Sequence, residues 1–173
     1  IVYAVPNLEG AIDWFENISG VRPVMGGHHA NQGTKNALVN LGKGCYLELI
    51  TIDEENTKVK APRWMGVDLL EGRASITRWS LKSDDLVYDS SVIKAYHPAM
   101  GIVHQGQRKT TSGKLLSWQM TLPLAEPRIE LVPFMTDWQS SDFHPTDQLP
   151  EQCRLLELSL SHPNSAEVQS TLN

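Results

Sequence analysis

The chain has 173 residues, 40% of them hydrophobic, enough for one substantial core or for two small modules sharing one. A formal net charge of −5 and a sequence pI near 5.6, with no dense run of Lys and Arg, argue against a nucleic-acid groove. No run approaches the roughly 18 apolar residues of a membrane span, no signal peptide opens the chain, and Cys45 and Cys153 form neither a disulfide framework nor a zinc-type spacing, all of which suits a cytoplasmic setting.

Ile1–Val5 reads as a strand closed by Pro6-Asn7. Because the sequence opens inside a strand without an initiator Met, residues are expected ahead of Ile1. Leu8, Ala11, Ile12, Phe15 and Ile18 then recur at helical spacing, with Asn7 as N-cap and Gly20 as stop. A short strand over Val21–Met25 precedes a polar, glycine-punctuated run, GGHHANQGTKN. Ala37–Leu41 and Cys45–Ile52 read as a hairpin across Gly42-Lys43-Gly44. Asp53–Arg73 is a connector carrying Pro62, Trp64 and Met65.

The order then restarts. Ser75–Leu81 reads as one strand, Ser83-Asp84-Asp85 as an N-cap cluster, and Leu86 to Tyr96 as a helix that stops at His97-Pro98. Met100–Gln105, Leu115–Leu122 and Arg128–Phe134 supply three more strands, with a turn at Thr111-Ser112-Gly113-Lys114 between the first two. Leu86 follows Leu8 by 78 positions, and Glu130 in PRIELV follows Glu48 in CYLELI by 82, so the halves read as a repeat. A third start follows, with a strand at Gln152–Leu160 and a short helix at Ser165–Leu172.

The fold expected is therefore α+β: tandem βαβββ modules over 1–55 and 75–138, joined by a connector over 56–74, with 139–173 as an incomplete C-terminal β-α extension. Glu48 and Glu130 each sit among apolar strand residues. Each either faces a cavity, where burial raises its pKa and suits it to general-base work, or faces solvent or a salt bridge such as Glu130 with Arg78. Arg78, Arg108 and Lys109 have the chemistry to clamp a carboxylate or phosphate. Trp79, Trp118, Phe134 and Trp138 are expected to wall the interior. Neither a phosphate-binding glycine loop nor a nucleophile elbow is present.

The segments IVYAVPNLEGAIDWF, GGHHANQGTKNALVNLGKGCYLELI, GQRKTTSGKLLSWQM, VPFMTDWQSSDFHP and LLELSLSHPN together resemble the glyoxalase-like domain branch of the vicinal oxygen chelate superfamily. The resemblance implies an open barrel of the glyoxalase, bleomycin-resistance and dioxygenase type, enclosing a cleft for a small molecule. It implies a divalent metal such as zinc, nickel, manganese or iron, with Glu48 and Glu130 at the last-strand ligand positions. The first-strand positions fall just before Ile1 and at about Arg78, and a guanidinium cannot ligate a metal. Matching the motif assigns His29, Thr34 and Asn36 to the cleft and places His144 at its mouth. Two readings stay open: an enzyme, a metal-dependent lyase or isomerase or an oxygenase, and a non-catalytic binding protein of the bleomycin-resistance kind. Relatives that dimerise across modules make a homodimer an expectation as well.

Overall fold

The computed structural model describes residues 1–109, 113–139 and 141–172. Strand β1 (Val2–Ala4) leads through Pro6 into helix α1 (Leu8–Ser19). Asn7 caps the helix by accepting the Gly10 N–H at 2.7 Å. Gly20 ends it in the left-handed region (φ 72°), a conformation that costs glycine no Cβ clash. The α1 face bearing Leu8 and Ile12 is buried against Ala37 and Leu49, each such side chain contributing about 1.5–3 kcal/mol.

β2 (Val24–His29), β3 (Thr34–Asn40) and β4 (Tyr46–Ile52) follow as antiparallel neighbours. The short strand expected at Val21–Met25 lies further on and takes in the start of the glycine-rich run, Gly26 to His29. Met25 to Gly27 forms a bulge, and Gly27 (φ 138°) absorbs its backbone turn. β1 pairs parallel with β4, Val2 opposite Glu48. The connector holds a 3-10 segment, Trp64–Leu69, whose Trp64, Met65 and Val67 enter the core between the sheets.

The single strand expected at Ser75–Leu81 divides at Trp79. β5 (Ser75–Arg78) runs antiparallel to β1, and β6 (Ser80–Lys82) joins a second sheet. That sheet has the order β6-β9-β8-β7, built from β7 (Val103–Lys109), β8 (Leu115–Thr121) and β9 (Phe134–Asp137). The first has the order β2-β3-β4-β1-β5, so the chain passes from one sheet to the other at Trp79, between β5 and β6, and the two sheets form an open α+β barrel. Helix α2 (Leu86–Tyr96), capped by the Asp85 carboxylate on the Tyr88 N–H, packs on the second sheet, and helix α3 (Ser165–Leu172) adds Val168 to the same cluster.

Three expectations need correction. β7 starts at Val103 rather than Met100, because 98–101 form a turn after α2. The strand expected over Arg128–Phe134 begins only at Phe134, since Pro123, Pro127 and Pro133 cannot donate to a ladder. Gln152–Leu160 forms no strand ladder and is tied by an Asn40–Glu151 bridge and the Leu155 N–H on the Leu41 carbonyl. In the expected turn at Thr111-Ser112-Gly113-Lys114, Thr111 and Ser112 lie outside the described residues, as does the Lys109 side chain.

Candidate functional site

Between the sheets lies a small cavity of about 30 Å³, walled by aromatic and apolar side chains with a few polar groups. β4 alternation turns Glu48 inward, where it is 7% exposed. Its Oε1 accepts the Asn36 Nδ2–H from β3 at 2.6 Å and lies 3.9 Å from His29 Nε2. Burial pushes the Glu48 carboxyl above the ordinary range, against the opposing pull of Asn36 and the Arg108 charge.

His29, at the end of β2, is 6% exposed, and burial lowers it to about 3, helped by Arg108 and His28. Its Nδ1 meets Thr34 Oγ1 at 3.0 Å, and Thr34 Oγ1 also accepts the Trp64 indole N–H at 3.0 Å. Arg108, on β7, reaches across the open side of the barrel and donates to the Gly26 carbonyl on β2. Burial lowers its guanidinium, and the charge of Glu48 opposes that effect. Burial also raises the Tyr46 phenol. Neighbouring space opens on one side past His29, Trp64 and Trp118 toward Asn31 and Gln105, and on the other past Trp138 toward Ser80 and Cys45.

The fold thus brings His29, Asn36, Glu48, Arg108, Trp118 and Trp138 to one cavity. Thr34 stands behind His29. His144 lines the adjoining space and packs against Trp138 and Tyr46, while its Nδ1 accepts the Thr146 N–H and caps the 3-10 turn Pro145–Gln148. Burial lowers its imidazole pKa.

Two sequence candidates stand apart. Glu130 lies on the loop before β9, where its Oε1 accepts the Val132 N–H at 2.9 Å and the Tyr96 hydroxyl at 3.3 Å. Register explains the misplacement: Val2 faces Glu48 in the first sheet, and Ser80, 78 positions after Val2, faces Phe134 in the second. The proline-bearing loop carries four residues more than the repeat allowed. Arg78 is 2% exposed and turns to this loop, donating to the carbonyls of Thr77, Leu124, Pro127 and Arg128. Sequence reasoning missed Tyr46 and Trp64; a Trp-Met pair inside a polar connector was the available signal for the latter.

For the divalent ion that the resemblance implies, the described residues supply part of a donor set, and one expected ligand position falls just before Ile1, outside the given sequence. Among the described residues no three His, Cys, Asp or Glu side chains come together, whereas a catalytic zinc takes about three protein ligands. Glu48 has His29 beside it, but Phe134 and Arg78 occupy positions where further ligands were expected.

Across residues 1–173 the sequence matches the model of the glyoxalase-like domain. No curated protein matches it. Among solved structures, a hypothetical protein from Staphylococcus aureus is 18% identical with a TM-score of 0.56, over 86% of this chain and 61% of that one. This chain therefore spans about three fifths of that protein's length. A variant of the Streptomyces coelicolor methylmalonyl-CoA epimerase in complex with 2-nitronate-propionyl-CoA is 15% identical with a TM-score of 0.50, over 82% of this chain and 93% of that one. A methylmalonyl-CoA epimerase in complex with methylmalonyl-CoA and NH4+ is 14% identical, with the same TM-score and coverage. These identities speak to the fold alone. With the family model spanning residues 1–173, the chain belongs to the glyoxalase-like domain family.

Proposed function

We propose that this glyoxalase-like chain is an isomerase- or lyase-type enzyme for a small carbonyl metabolite, with Glu48 moving a proton at the carbon next to the carbonyl. One observation carries the reading: a carboxylate held in an aromatic cavity, its pKa raised by burial, with one hydrogen bond from Asn36. Arg108 supplies positive charge to the same cavity and would favour an anionic substrate group. The epimerases of like fold hold acyl-CoA ligands in their complexes, which suits a carbonyl ligand without naming this one. The proton transfer itself is assigned to Glu48, a group present in the cavity.

The second reading, a non-catalytic binding protein, draws on Phe134 standing where a second acid was expected. One experiment separates the two. Wild type and E48Q are incubated in D2O with a panel of 2-oxo acids, 2-oxoaldehydes and acyl thioesters, and deuterium uptake at the α-carbon is followed by NMR. Uptake by wild type but not E48Q supports the enzyme; binding without uptake in either supports the binding protein. A cytoplasmic setting and a homodimer belong to the same proposal and rest on the cysteine usage and the family resemblance. Among the described residues no helix is long and apolar enough to cross a membrane.

A further inference from the structure

Building on the reading of Glu48 as the proton-moving group, we infer that His29, held by Thr34 as the Nε2–H tautomer, donates the hydrogen bond that stabilises negative charge on the substrate's carbonyl oxygen. The tautomer follows from accounting for every proton around Thr34. The Trp64 indole N–H can only donate, so Thr34 Oγ1 accepts there, at 3.0 Å. Thr34 is fully buried, and its own hydroxyl proton needs an acceptor. The acceptor in place is His29 Nδ1, also at 3.0 Å. With Nδ1 accepting, the proton of a neutral imidazole sits on Nε2.

The ring cannot easily turn away. It is held edge-on by Trp64, with centroids 5.3 Å apart at 77°, and by Trp118, at 6.3 Å and 82°. Nε2 lies 3.9 Å from Glu48 Oε1, beyond hydrogen-bond reach, so its N–H is not tied to the carboxylate and remains available to a substrate oxygen. The groups facing this imidazole are Glu48, Arg108 and His28, and burial with the Arg108 charge keeps it uncharged at neutral pH. A neutral imidazole can polarise a carbonyl without losing its own proton.

The step balances. The Glu48 carboxylate takes the proton from the carbon beside the carbonyl, and the C–H electron pair becomes the new C=C bond. The carbonyl π pair moves onto oxygen, which accepts the His29 Nε2–H. Return of a proton from Glu48 to that carbon re-forms the carbonyl compound with its α-hydrogen exchanged, which is what deuterium uptake reads, and no oxidant or reductant is needed. Thr34 is a positioning residue in this scheme, and His29 is the group that touches the substrate.

The test labels histidine with ¹⁵N and reads the His29 tautomer by long-range ¹H–¹⁵N correlation at pH 7 in wild type, T34S and T34V. Expected are a neutral Nε2–H ring in wild type and T34S and loss of that preference in T34V. An Nδ1-protonated or cationic His29 in the wild type overturns the inference, whether or not the variants fold. In the deuterium-uptake assay, H29F should lose about 10²-fold in kcat. T34V should lose about tenfold with KM little changed, and T34S should recover most of the rate. A T34V protein with an altered tautomer and undiminished kcat also overturns it. Uptake by E48Q as fast as wild type would sink the base reading instead, and the wild-type tautomer keeps the two failures distinct.

Discussion

Asn36 donates its Nδ2–H to Glu48 Oε1 at 2.6 Å, reaching diagonally from β3 to β4 inside the barrel. Gly26 makes room for it, since a Cβ there would lie 2.2 Å from Asn36 Oδ1. A hydrogen bond to the charged form favours ionisation, so Asn36 partly offsets the upward push of burial on Glu48. Removing it in N36A should raise the Glu48 pKa further. A base must be ionised to take a proton, so the acid limb of kcat/KM for deuterium uptake should move to higher pH. A pH profile checks this, and a limb that stays put or moves down would show that Glu48 is not the titrating base.

His29 predicts how the fold responds to acid. Its imidazole is lowered from 6.5 to about 3 in the folded chain, so the unfolded chain binds the proton first as pH falls. The stability it contributes is complete above pH 6.5 and is lost progressively as pH falls toward 3, by up to about 1.4 kcal/mol per pH unit. Glu48 acts in the opposite sense: its raised pKa favours the protonated native state, and that contribution fades as pH rises through the folded value. Urea unfolding at pH 7 and 4.5 should show wild type losing about 2 kcal/mol more than H29Q, whose amide does not titrate in this range. Equal losses in the two proteins would mean that His29 is not buried neutral.

Helices α1 and α2 were legible in the sequence because each carries its own punctuation: Asn7 and Gly20 at one, Asp85 and His97-Pro98 at the other. The cavity face of β4 was legible from CYLELI, where Glu48 among apolar neighbours forced a choice between solvent and a pocket. The second half was misread because repeat matching relied on local similarity. PRIELV looks like CYLELI, but three prolines delay strand pairing to Phe134, and only the register with Ser80 reveals it. Arg78 was misread because a sequence shows a cation without the carbonyls that will surround it. Trp64 escaped because its role depends on Thr34, 30 positions away, rather than on a local period.

Gly106 on β7 faces Trp118 on β8, and a Cβ there would meet the indole ring at 2.2 Å. The indole walls the cavity and meets the rings of His29 and Trp138, so it has little room to retreat. G106A should therefore destabilise the fold by about 1–3 kcal/mol and shift the tryptophan near-ultraviolet circular dichroism. Thermal melts and spectra of the two proteins test this. An unchanged spectrum with full stability would show that Trp118 can move aside.

Arg78 offers the clearest division between a structural and a substrate-binding cation. Its guanidinium donates to the carbonyls of Thr77, Leu124, Pro127 and Arg128 at 2.7–3.1 Å, fastening the loop that delays β9. A lysine ammonium concentrates its donors at one point and cannot span carbonyls spread along a loop. R78K should therefore lose about 2–4 kcal/mol in urea unfolding, because buried carbonyls are left without donors. Below its melting range the variant should keep the wild-type KM in the uptake assay, because the side chain faces the loop and not the cavity. A variant of full stability but weakened substrate binding would return Arg78 to the anion-clamp role.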